Sequence, residues 1–260
     1  MRIDFGRTAK DYGRHRIGFP EAFFERLAGF AIGRPGQRVL DLGTGTGTIA
    51  RGLARRGSLV TALDPAAALI AEAKRLDREA GIEVAYLLGR AEETGLPDAS
   101  FEVVTAGQCW HWFERRRAAR ETRRVLLPGG ALVIAQLDWL PLPGNVVEAT
   151  ERLILAHNPA WNRAGGSGLY PAWLGDAWAA GFVALETFSF DISIPYSHAA
   201  WRGRIRASGG VAASLPAAAV ARFDEAHATM LAIDYSAEPL AIPHRVWAVV
   251  ARAPGAPEAR

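Results

Sequence analysis

Two rhythms of apolar side chains alternate along the first half of this chain. Over residues 20–32 (PEAFFERLAGFAI) they fall at helical spacing, with Pro20 at the start and Gly33 after the end. Arg38–Leu42 (RVLDL) reads as a short buried strand, and Gly43–Gly47 (GTGTG) as a tight loop. A helix over 49–56 then places Ile49 and Leu53 one turn apart. The alternation repeats. Residues 58–63 form a second strand, ending at Asp64-Pro65. Residues 66–80 form a helix with Leu69, Ile70, Ala73 and Leu76 on one side, stopped by Gly81. Residues 82–88 and 101–106 are expected strands three and four, the latter entered through the turn Pro97-Asp98-Ala99-Ser100. An Arg-rich helix over 114–127 ends at Pro128-Gly129-Gly130, and 131–137 is strand five.

Strands that alternate with helices in this way predict a parallel sheet covered on both faces and joined by right-handed crossovers. A ligand is then expected beyond the carboxyl ends of the strands, near the switch point after strand one. The second half is less regular. Residues 139–170 are rich in Pro, Gly and Asn and show too little periodicity for one element. A helix over 173–180 follows. A strand over 183–194 looks broken near Thr187–Phe188, helices are expected over 199–207 and 216–233, and the last strand is 246–251. The expected fold is therefore α/β: a doubly wound, Rossmann-like, mostly parallel seven-stranded sheet with helices on both faces and a helical insertion before the last strand. One structural domain is expected, with boundaries at 1–34, 35–138 and 139–260.

Composition narrows the function. Thirty basic and 27 acidic residues leave a net charge of +3, too small a surplus for a dedicated nucleic-acid binder. Cys109 is the single cysteine, which excludes intrachain disulfides and Cys-rich zinc sites. The first residues (MRIDFGRTAKD) have no apolar core of a signal peptide, and no stretch is long and apolar enough to span a bilayer. A cytoplasmic protein without metal, membrane or nucleic-acid partners is expected, monomer or homodimer being left open. None of the eight tryptophans lies in the first 109 residues, so the two halves are expected to do different jobs.

The loop Asp41-Leu-Gly43-Thr44-Gly45-Thr-Gly47 carries the chemistry. A dinucleotide fingerprint needs its third glycine at residue 48, which is Thr48. Asp41, two residues before the first glycine, would face a pyrophosphate unfavourably. It suits a ligand with an ammonium and no phosphate. Asp64, at the end of strand two, stands where a carboxylate can accept both hydroxyls of a ribose. Together with Gly89-Arg90-Ala91-Glu92 after strand three and Leu126-Leu127-Pro128-Gly129-Gly130 before strand five, this pattern resembles the class I S-adenosylmethionine-dependent methyltransferases over roughly residues 35–137. The resemblance implies S-adenosyl-L-methionine as cofactor and S-adenosyl-L-homocysteine as product. It implies that Asp41 or the loop backbone at Thr44 holds the methionine amino group and that Gly43 and Gly45 let the cofactor pass. Asp64 would bind the ribose, Pro65, Ala91 and Glu92 would lie beside the adenine, and Gln108 near the sulfonium.

Two further segments are similar to the trans-aconitate methyltransferase-like group, which acts on small molecules. One is Ala9–Arg16, where Tyr12 and Arg16 would belong to an N-terminal helical lid over the cofactor and His15 would reach the acceptor; its Arg14-His15-Arg16-Ile17 run departs from that group's pattern. The other is Gln108-Cys109-Trp110-His111-Trp112-Phe113. No Asn-Pro-Pro-Tyr motif of base-gripping enzymes follows strand four. A carboxylate acceptor needs no base, whereas a hydroxyl needs one with a pKa near neutrality, for which His111 is the candidate on position. Trp110, Trp112 and Trp201 are expected to shape the acceptor pocket. Arg202 and Arg206, four residues apart on one helix face, could grip a carboxylate. The expected activity is methyl transfer to a small organic acceptor, at the oxygen of a carboxylate or hydroxyl; the alternative is a non-catalytic S-adenosylmethionine-binding sensor or scaffold.

Overall fold

The computed structural model describes residues 18–255 of the chain. Helix α1 (Glu21–Gly29) precedes strand β1 (Arg38–Leu42), and α2 (Thr48–Ala54), β2 (Leu59–Asp64), α3 (Ala67–Ala80) and β3 (Ala85–Leu88) follow. Strand β4 (Phe101–Gly107) leads through a 3₁₀ turn at Trp110–Trp112 into α4 (Arg115–Val125) and β5 (Leu126–Trp139). The remainder is α5 (Val146–His157), α6 (Ala172–Ala179), β6 (Val183–Tyr196), α7 (His198–Arg206), α8 (Ala217–Asp234) and β7 (Leu240–Arg252). Among the described residues, no helix is long and apolar enough to cross a membrane.

The strands form one seven-stranded sheet in the order β3-β2-β1-β4-β5-β7-β6. Strand β1 pairs in parallel with β2 on one side and β4 on the other, β2 pairs with β3, and β4 with β5. Strand β7 runs antiparallel to β5: Ala253 donates to the Gly130 carbonyl at 2.8 Å at one end, and Leu140 to the Pro243 carbonyl at 2.8 Å at the other. The order reverses between β1 and β4. Chains leave those two neighbours in opposite directions, and this opens a crevice at their carboxyl ends.

The described residues divide into two compact units. One holds Gly18–Gln136, Tyr170–Ser189 and the chain from Val246 onward; the other holds Leu137–Leu169 and Phe190–Arg245. The core of the first is built on Leu40, Leu42, Val104, Leu132, Ile134 and Val249, capped by Trp110, Trp173 and Trp247. Strands β1 and β4 are buried almost end to end, as parallel strands between two helical layers must be. The second unit packs Val147 and Ile154 of α5, Trp201 and Ile205 of α7, and Phe223 and Leu231 of α8 around Ile242.

Four expectations change. Helix α5 occupies part of the stretch that showed no periodicity. Its signal was a cap: Asn145 accepts from the Glu148 amide at 2.9 Å, and Glu148 reaches back to the Gly144 amide at 2.8 Å, close to a capping box. Strand β6 is continuous through Thr187–Phe188. Two successive exposed positions, Glu186 and Thr187, shift its phase without ending it, and the Phe188 ring stacks 6.0 Å from Phe30. Strand β5 begins at Leu126, before the Pro-Gly-Gly turn, because Phe101 pairs with Leu126 while Val103 pairs with Ala131, and the residues between bulge out of register. Strand β3 is shorter than expected and starts at Ala85; at the sheet edge its Leu88 is exposed.

Candidate functional site

Strand β1 ends at the crevice, so its fourth residue, Asp41, lies beneath the glycine loop. It is 2% exposed. Its neighbour in register on β4, Thr105, donates to it at 2.6 Å. Burial pushes the Asp41 carboxyl up to about 6; donors around it (Thr105, Thr44 and the Ala50 amide) pull the other way, and the nearby Asp64 adds a smaller upward push. The Thr44 hydroxyl lies toward Asp41 but makes no hydrogen bond of ordinary geometry, and it is buried. Among the described residues no cation pairs with Asp41. A buried carboxylate and an unsatisfied hydroxyl of this kind are the surroundings an ammonium group would complete.

Asp64 closes β2 and is bound to the same loop. Its Oδ2 accepts from the Gly45 amide at 2.9 Å and its Oδ1 from the Ala66 amide at 2.8 Å. Burial raises its carboxyl, and those two amides oppose the rise. A carboxylate offers about four lone-pair sites, so each oxygen keeps one after these bonds, enough for two adjacent hydroxyls. The Thr44 amide donates to the Leu63 carbonyl at 3.1 Å, so the loop is tied to the end of β2 twice.

The two glycines expected to admit the cofactor differ. At Gly45 (φ +56°) an added Cβ would meet nothing within 4 Å, so this edge of the loop faces open space. At Gly43 it would come within 2.9 Å of Cys109 and 3.0 Å of Phe113, so that glycine admits the chain's own β4–α4 turn. Pro65 is exposed and Ala91 buried. Glu92 accepts from the Glu114 amide at 2.9 Å, just before α4, and lies 3.4 Å from Arg90; it braces that loop.

Past β4, Gln108 adopts φ +59°, a left-handed conformation unusual for a side chain with a Cβ. Held there by its amide on the Ala135 carbonyl at 2.8 Å, it marks strain at the switch point. His111 is half-buried within an aromatic row: it lies 4.7 Å from Trp112 and stacks 6.3 Å from Trp173, which stacks 4.2 Å from Tyr170. Trp112 is 41% exposed, the outermost ring of this row. Trp110 is fully buried, with its Nε1 on Asp176 at 3.1 Å, and serves as core.

In the other unit, the expected acceptor contacts have internal partners. Trp201 is fully buried and donates to the Thr150 hydroxyl at 3.2 Å. Arg202 and Arg206 do share a helix face, but both are engaged by Asp224 of α8: Arg202 Nε at 3.1 Å and Arg206 Nη1 at 2.7 Å. The physical reason is that the pair faces the acid of a neighbouring helix while staying only partly exposed. Tyr12, His15 and Arg16 lie outside the described residues.

Sequence reading missed one group at the loop. Arg51, Asp77 and Tyr86 meet beneath it, with Arg51 Nε 2.6 Å from Asp77 and Tyr86 Oη 2.7 Å from the same carboxylate. The available signal was an acid on the apolar side of α3: Asp77 lies one turn beyond Ala73 and is buried with it.

A family model described as a methyltransferase domain matches residues 40–134. The chain is 37% identical over 153 residues to an uncharacterized methyltransferase of Mycobacterium tuberculosis, the match covering 56% of this chain and 60% of that protein. The chain thus spans somewhat less than two thirds of the first curated relatives it matches. It is 33% identical over 170 residues to a demethylmenaquinone methyltransferase of Thermotoga maritima, covering 62% of this chain and 69% of that one. Among solved structures it is similar to a putative type II methyltransferase from Anaeromyxobacter dehalogenans, with a TM-score of 0.62, 27% identity, and coverage of 93% of this chain and 99% of that one.

Proposed function

Because this chain belongs to the class I S-adenosylmethionine-dependent methyltransferases, we propose that it transfers a methyl group to a small organic acceptor, at an oxygen. The observation that carries the reading is the pair of neighbouring buried carboxylates, Asp41 on the Thr105 hydroxyl and Asp64 on the Gly45 amide of the glycine loop, without a cationic partner among the described residues. Bound S-adenosylmethionine supplies an electrophilic methyl carbon on a positively charged sulfur. In this reading Asp41 takes the ammonium of the amino-acid end and Asp64 the two ribose hydroxyls, while the open edge at Gly45 lets the chain between them pass. Fixing donor and acceptor in line is worth up to roughly 7–11 kcal/mol of the barrier.

Acceptor recognition falls to the turn after β4. His111 either removes a hydroxyl proton or orients the acceptor, and the exposed Trp112 face offers a planar surface beside it. The engagement of Arg202 and Arg206 by Asp224 argues against that pair as a carboxylate clamp. Likeness to relatives such as the demethylmenaquinone methyltransferase supports an organic acceptor over a nucleic acid.

Calorimetry with S-adenosylmethionine, S-adenosylhomocysteine and NAD tests the cofactor: binding of NAD alone would refute the reading of the glycine loop. Turnover of labelled cofactor over a panel of small acids and phenols tests catalysis. Cofactor binding without turnover on any of them would favour the sensor role.

A further inference from the structure

Below the glycine loop, a polar cluster joins three elements. Arg51 of α2 has its side chain 11% exposed and Asp77 of α3 has 5%, at a separation of 2.6 Å. Tyr86 of β3 donates to the second oxygen of Asp77 at 2.7 Å. Arg51 does more than neutralise this acid: its Nη2 donates to the Thr46 carbonyl at 2.9 Å and lies 3.4 Å from the Ala73 carbonyl. The Thr46 carbonyl and the Gly47 amide belong to one peptide plane. That amide donates to the Thr44 carbonyl at 2.9 Å. A guanidinium that fixes the first half of the plane therefore aims the second half, and closes the turn that presents Gly45 to Asp64. Tyr86 touches the same point: a Cβ at Gly47 (φ +79°) would lie 2.5 Å from its hydroxyl.

From this geometry we propose that Arg51, with Asp77 and Tyr86, is a positioning group that holds the glycine loop in its cofactor-accepting shape. The proposal rests on the cofactor reading above. Arg51 suits the task because its planar fork fixes the directions in which it serves the carboxylate and the carbonyl, whereas a lysine is a compact charge on a flexible stem. The group's hydrogen bonds run to the loop backbone, to α3 and to one another, so its expected effect is on affinity for the cofactor and not on the chemical step.

The test must separate aim from stability. Removing Arg51 alone would leave Asp77 buried and unpaired, which is costly in itself. Replacing all three members together (Arg51→Met, Asp77→Leu, Tyr86→Phe) removes both charges, a change that is often near neutral for stability. The triple variant is expected to melt within a few degrees of wild type, to bind S-adenosylhomocysteine at least tenfold more weakly by calorimetry, and to raise KM for S-adenosylmethionine with kcat changed less than threefold. Binding within twofold of wild type by a folded triple variant overturns the proposal. Should the triple variant fail to fold, Tyr86→Phe decides: at least threefold weaker binding supports the proposal, and unchanged binding overturns it. If wild type itself does not bind S-adenosylhomocysteine, the cofactor reading fails and the positioning proposal falls with it.

Discussion

Replacing Asp41 with asparagine should trade cofactor binding for stability, and the trade should depend on pH. In the folded protein burial holds the Asp41 carboxyl at about 6, against an ordinary 3.8. The folded state therefore keeps a proton that the unfolded chain gives up, so stability is lost as pH rises from about 3.8 to about 6. At about 1.4 kcal/mol for each tenfold step, the loss above pH 7 is about 3 kcal/mol. Asparagine does not titrate, can still accept from the Thr105 hydroxyl, and escapes this loss. Its unpaired amide adds a penalty of about 1–3 kcal/mol, but that penalty is the same at every pH. The gap between variant and wild type should therefore grow with pH, by about 1.5 kcal/mol between pH 5 and pH 7.5. For a chain of this size that corresponds to roughly 3–6 °C in Tm. Differential scanning calorimetry of both proteins at several pH values across this range reads the gap directly. A gap constant to within about 1 °C would refute the account of Asp41 as a buried, titrating acid. The same variant loses its charge for an ammonium, so S-adenosylhomocysteine binding should fall about 10- to 100-fold at pH 7.5. Wild-type binding should itself weaken below about pH 6, as Asp41 takes up a proton.

Other changes sort the site from its surroundings. Gly43→Ala should lower Tm by several degrees through collision with Cys109 and Phe113, whereas Gly45→Ala, which meets open space, should cost about 1–2 kcal/mol of backbone strain and weaken cofactor binding more than it lowers Tm. Trp110→Ala should cost about 3–5 kcal/mol in denaturant unfolding, and Trp112→Ala less than 1 while altering KM for the acceptor, since the first ring is buried and the second 41% exposed. Asp224→Ala should destabilise by about 1–2 kcal/mol, with cofactor affinity unchanged by calorimetry, because it leaves Arg202 and Arg206 half-buried without their shared acid.

How far these features were legible differs from element to element. Strand β1, the glycine loop and Asp64 follow from local pattern. A short apolar run closed by a glycine loop fits a buried strand, and acids placed beside those glycines suit a turn that faces polar ligand groups. Asp41 was visible as an acid of unusual position, but its burial and its Thr105 partner were not, because the two lie on different strands and meet only through register. Helix α5 announced itself by Asn145 and Glu148, a signal weaker than the proline and glycine around it. The tryptophan asymmetry is real, yet its meaning changed: Trp110, Trp173 and Trp247 fill one core, Trp161 and Trp201 another, and Trp112 and Trp178 are the exposed ones.

The sequence alone determined the alternation of strands and helices, hence a doubly wound sheet, and placed two acids and a glycine loop at its first switch point, because period and turn chemistry are local properties of the chain. Tertiary structure alone decided which charges are available. It engaged Arg202 and Arg206 with Asp224, joined Arg51 to Asp77 and Tyr86 beneath the loop, and left Asp41 and Asp64 without a cation among the described residues. The reason is that a charge's partner is set by which faces pack together, and helical spacing shows that two arginines share a face without showing what that face meets.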